Sequence, residues 1–126
     1  MTSFLTVALG GAIGASARYG LSVAMLRLYG PGLPLATFLA NISGGLLMGL
    51  LMGWLIREAP EGSDSIRLFA GVGVLGGFTT FSTFSLEAMR MLESKSYGIF
   101  FGYVGASVVL SIAAVALGLF LMRGTA

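Results

Sequence analysis

The chain has 126 residues, a formal net charge of +2, and neither cysteine nor histidine. Hydrophobic residues make up 56% and charged residues 10%, against about 25% charge in an average globular domain, and the mean hydropathy is +0.96. This excludes a soluble globule, a nucleic-acid footprint, disulfides, thiolate or imidazole metal sites and histidine-based nucleophile or acid–base chemistry. The expectation is a single all-α domain in the cell (plasma) membrane, multi-pass and in contact with lipid. With no visible nucleophile–base pair or metal cluster, an enzyme is not expected.

A spanning helix needs about 20 mostly apolar residues, and four stretches qualify. The first covers about 4–28, includes "GAIGASARYG" and carries Arg18. Its Ala15-Ser16-Ala17 mimics a signal cleavage site, but no lysine or arginine precedes it, so it reads as a retained span. "YGPGLP" is a helix-stopping turn. The second span, about 35–56, contains Asn41 and the spacing Gly45, Gly49, Gly53. With Gly10 and Gly14 in the first span, that spacing predicts close helix packing in lipid. The polar "REAPEGSDSIR" follows, with Asp64 or Ser65 placed to cap the next helix. The third span, about 66–92, is interrupted by "GGFTTFSTFSLE" and is expected to break at 76–80. "SKS" at 94–96 turns the chain into the fourth span, about 97–122. Connections this short make neighbouring spans antiparallel and put both termini on one side.

Two short motifs mislead. "GVGVLG" at 71–76 matches G-x-G-x-x-G, but the dinucleotide reading requires a strand and a βαβ unit, and these glycines lie in a membrane span. Asn41-Ile42-Ser43 fits a glycosylation acceptor, again inside a span.

Basic residues near span ends set membrane orientation. Arg57, Arg67 and Arg123 lie on the termini side, and Arg27, Arg90 and Lys95 on the other. Arg18 adds a fourth there if it snorkels outward. So even a count sets no orientation, and the expectation is insertion both ways with two copies pairing antiparallel.

The interrupted third span needs a protein or cavity environment, because unpaired backbone in hydrocarbon costs several kcal/mol per group. Broken spans offer bare carbonyls to a cation and half-helix N-termini to an anion. If a helix resumes after Thr80, Phe81 and Phe84 share a face. Their electropositive ring edges suit a small anion, although two phenylalanines also pack well in any membrane helix. Asn41 either bonds between helices or presents an amide donor to an anion. Tyr103, Ser107 and Ser111 recur every four residues, as a lining track or as hydroxyls bonded to their own helix. Glu87 and Arg18 are intramembrane ionisable groups, functional by default, unless they reach an interface.

Taken together, the length, the four spans, "GGFTTFSTFSLE", "NISGG" and "GAIGASARYG" resemble the Fluc (CrcB) family of fluoride channels over essentially the whole chain. The resemblance implies an antiparallel dual-topology homodimer enclosing two fluoride pores and a structural sodium ion at the helix breaks. It implies sodium on the backbone carbonyls of Gly76 and Thr79 from both subunits. Phe81 and Phe84 would be the pore phenylalanines and Asn41 the pore amide. Tyr103, Ser107, Ser111 and Glu87 would form the polar track, with Thr83 nearby, and Arg18 would stand at the aqueous vestibule. The expected activity is passive export of cytoplasmic fluoride. The alternative is a small proton-coupled, dual-topology multidrug exporter, which needs an intramembrane carboxylate; Glu87 is the one candidate.

Overall fold

The computed structural model describes residues 2–123, and among them every regular element is helical. Helix α1 (Thr2–Tyr29) ends where Gly30, at φ +71°, bonds back to the Leu26 carbonyl. That is the left-handed termination glycine favours. Two prolines follow before α2 (Leu35–Glu58), which Ala59 closes in the same left-handed conformation. Gly62, at φ +74°, precedes the short α3 (Ser63–Ile66). The expected cap at Asp64 or Ser65 is therefore corrected. Both residues lie inside the helix, no side chain caps it, and Asp64 instead pairs with Arg67 at 2.9 Å.

From Arg67 to Leu75 the helix widens to π-type turns, which α4 (Gly76–Phe78) continues in α-helical form. The chain then leaves helical geometry at Thr79 (ψ 160°) and resumes as α5 (Ser82–Glu93). The interruption thus falls at 79–81 rather than 76–80. Glycine permits a break without requiring one, and Gly76 and Gly77 stay helical. Lys95, at φ +61°, turns the chain into α6 (Tyr97–Arg123).

Helix α2 packs chiefly on α6, and α1 on the π segment and α4. Both seams depend on missing side chains. A Cβ on Gly118 would stand 2.6 Å from the Leu50 nitrogen of α2, and one on Gly73 would stand 2.9 Å from the Gly10 Cα of α1. Of the glycines whose spacing predicted close packing, Gly10 and Gly14 meet the backbone of Gly73 and Val74, and Gly49 meets that of Gly118, as such spacing allows.

Among the described residues no large side chain is fully buried, while Phe4, Phe101, Phe120 and many leucines face outward. Such a surface needs lipid or a protein partner as its solvent. Helices α2 and α6 and the stretch Ser63–Glu93 are each long and apolar enough to cross a membrane. Helix α1 has the length but falls outside that group. Arg18 and Arg27 dilute it, and its place as the fourth span rests on its packing against the π segment.

Candidate functional site

The hydroxyl-rich run both ends one helix and starts the next. Thr79 gives its N–H and its Oγ1 to the Leu75 carbonyl, each at 3.0 Å. This is the local competition with helix propagation that threonine brings. One residue later, Thr80 Oγ1 accepts the Thr83 N–H at 3.2 Å. That bond supplies an N-cap for α5, since Phe81 at its boundary makes no side-chain cap.

Between these two devices the Thr80 peptide is held from across the fold. Asn41 Oδ1 accepts the Thr80 N–H at 2.8 Å, and Asn41 Nδ2 donates to the Thr80 carbonyl at 3.0 Å. The paired bonds fix which end of the amide points where. Asn41 is therefore an interhelix clamp, yet its amide has a second N–H and the residue also lines a cavity. Of the two openings left by the sequence, the interhelix bond is the one formed. On the other side of the break, Arg18 Nε donates to the Gly77 carbonyl at 3.4 Å.

Beside the break lies a cavity of about 340 Å³, lined by Asn41, Thr79, Thr80, Phe81, Phe84, Ser107 and Ser111 together with Val108 and Ile112. None of these side chains is charged. The ring centroids of Phe81 and Phe84 are 5.8 Å apart. Phe84 is 7% exposed whereas Phe81 is 78% exposed, so one ring is built into the chain and the other stands out from it. Ser107 is 5% exposed, and its hydroxyl has no hydrogen-bond partner. A buried polar atom left this way demands a physical reason.

A second, wider cavity of about 870 Å³ gathers Arg18, Thr83, Glu87 and Arg90 between α1, α2, α5 and the two turns at that end. The expected residues thus divide into two groups. Asn41, Phe81, Phe84, Ser107 and Ser111 meet in the narrow cavity, and Arg18, Thr83 and Glu87 in the wide one. Tyr103 belongs to neither lining. It is buried, its ring centroid is 5.2 Å from that of Phe84, and its hydroxyl donates to Glu87 Oε1 at 3.0 Å. Tyr103 thus links the two groups, with its ring against Phe84 of one and its hydroxyl on Glu87 of the other. Gly76 remains within α4 and lines neither cavity.

Sequence reasoning missed Thr80, Thr37 and Arg90 as members of this region. Thr37, buried and lining the wide cavity, lies four residues before Asn41. Helical spacing placed it on the same face. The pairing of Thr80 with Asn41 had no such local signal.

Residues 5–119 match the family described as CrcB-like protein, Camphor Resistance (CrcB). The chain belongs to the CrcB family. CrcB relatives resemble it nearly end to end. A protein of Phenylobacterium zucineum is 53% identical over 123 residues, covering 98% of this chain and 97% of its own. One from Caulobacter sp. (strain K31) is 50% identical over 123 residues, covering 98% and 96%. Both are named fluoride-specific ion channel FluC. As a CrcB protein with three strongly apolar spanning stretches, the chain is a multi-pass protein of the plasma membrane.

Proposed function

We propose that this CrcB protein is a passive, fluoride-selective channel, not an enzyme, which lets cytoplasmic fluoride leave the cell. The narrow cavity carries the reading. It combines an amide N–H left over at Asn41, a buried unpartnered hydroxyl at Ser107 and phenylalanine rings beside a broken helix, with no cationic side chain. Fluoride is small and holds water tightly, so a selective path must replace that water with several neutral donors. Conduction also requires binding weak enough for exit. A lysine or arginine at the same place would hold the ion too firmly. The names of the relatives support the same ion.

The active unit in this reading is an antiparallel homodimer. Non-helical backbone at membrane depth must be covered by protein or line a cavity, and Phe81 at the break projects outward. A second copy would supply the cover. The balanced basic residues at the two ends support insertion both ways.

Sodium fits the break as a structural ion. An unbroken helix would give the Thr80 N–H to the Gly76 carbonyl, but Asn41 takes it. It would likewise give the Thr83 N–H to Thr79, but Thr80 Oγ1 takes that. The two expected ligand carbonyls thus lose their usual donors, and unwound carbonyls suit a hard cation. Two per chain make a sparse site, so both copies would contribute. The ion would supply positive charge at the break and hold the copies together there.

The test is fluoride release from liposomes holding the purified protein, with equal pH on both sides. Release under these conditions is expected of a channel. Release only under an imposed proton gradient would instead indicate coupled export.

A further inference from the structure

The wide cavity holds three ionisable side chains, and two are engaged. Arg18 reaches the Gly77 carbonyl, and Glu87 accepts the Tyr103 hydroxyl. The Arg90 guanidinium has no hydrogen-bond or ion-pair partner among the described residues. It follows Glu87 by three residues on α5, so the two share a helix face, with Arg90 a turn closer to the helix end and the Ser94–Ser96 turn. There its charge also opposes the negative end of the α5 dipole. Without Arg90, the lining would set a single guanidinium against a carboxyl group and a helix C-terminus, a poor entrance for an anion.

The geometry points to Arg90 as an anion-gathering residue at the mouth of this vestibule. Its charge raises the local concentration of small anions and so the rate at which fluoride reaches the narrow cavity, where Arg90 contributes no lining. The inference rests on the channel reading above. Charge lining a cleft focuses the field and speeds entry in a salt-dependent way, whereas a packing role has no such dependence.

Fluoride efflux from liposomes would be measured at sub-saturating fluoride for the wild type, Arg90→Gln and Arg90→Lys. Ionic strength would be set at about 0.01 M or about 1 M with impermeant salts, where the screening length is roughly 30 Å or 3 Å. Arg90→Gln is expected to slow efflux about two- to fourfold at low ionic strength, as a unit charge acting through water would, and to match the wild type at high ionic strength. Arg90→Lys is expected to behave as the wild type at both. Equal rates for Arg90→Gln at low salt, the same deficit at both salts, or a lysine variant as slow as the glutamine variant would each overturn the assignment. A wild type that releases no fluoride at either strength would instead remove the channel reading, and this inference with it.

Discussion

Asn41 holds the Thr80 peptide by its N–H and its carbonyl and also lines the narrow cavity. Replacing it by alanine leaves two backbone groups unpaired at the break, each costing about 1–3 kcal/mol when buried. Asn41→Ala is therefore expected to lose at least about 2 kcal/mol of stability in detergent unfolding as well as fluoride flux; an unaltered unfolding curve would contradict the clamp. Ser107 poses the opposite case. Its hydroxyl makes no bond within the protein, so Ser107→Ala is expected to keep full stability. It is expected to lower fluoride affinity about tenfold or more, as a hydrogen bond to a charged group is worth about 1.5–3 kcal/mol. A destabilised Ser107→Ala with normal flux would show the hydroxyl to be structural. The types and spacing of Asn41, Phe81, Phe84, Ser107 and Ser111 were legible in the sequence, since helical periodicity puts them on definite faces. The partner of Asn41 was not, because that bond joins residues 39 positions apart.

Glycine placement is decisive among the helices. A methyl group at Gly118 would meet the Leu50 nitrogen and the Gly49 carbonyl carbon of α2, at 2.6 and 2.8 Å. Neither is a flexible side chain able to move aside. Gly118→Ala is thus expected to destabilise the fold by about 1–3 kcal/mol, as core overpacking does. Gly20→Ala, with nothing within 4 Å, is expected to be neutral or mildly stabilising in the same unfolding measurement. Equal effects would refute the seam between α2 and α6. Helix limits at "YGPGLP" and "SKS" could be read from turn chemistry. The break was displaced because glycine marks where a helix can yield, while hydroxyl bonds at Thr79 and Thr80 decide where it does. Nor did composition announce the π turns at Arg67–Leu75, since an apolar, glycine-rich run suits either helix width.

For the whole molecule, the proposed second copy in the opposite orientation would account for the outward Phe81 and the even division of basic residues. Arg57 Nη1 bonds to the Met122 carbonyl, which puts the ends of α2 and α6 together, as the charge count assumed. Glu58→Lys with Glu61→Lys raises that end from three basic residues to five, and Glu93→Lys with Tyr97→Lys does the same opposite. Each double variant is expected to insert one way and leave fluoride-sensitive cells unprotected when expressed alone, with protection returning on co-expression. Full protection by either variant alone would contradict the antiparallel unit.

The most direct test of fluoride selectivity is the reversal potential of the purified protein in a planar bilayer, with opposed fluoride and chloride gradients and equal pH. The expected current reverses at the fluoride equilibrium potential and does not move when chloride is changed. Reversal at the chloride potential, or no current without a proton gradient from a dimeric sample, would contradict a fluoride path through the broken helix.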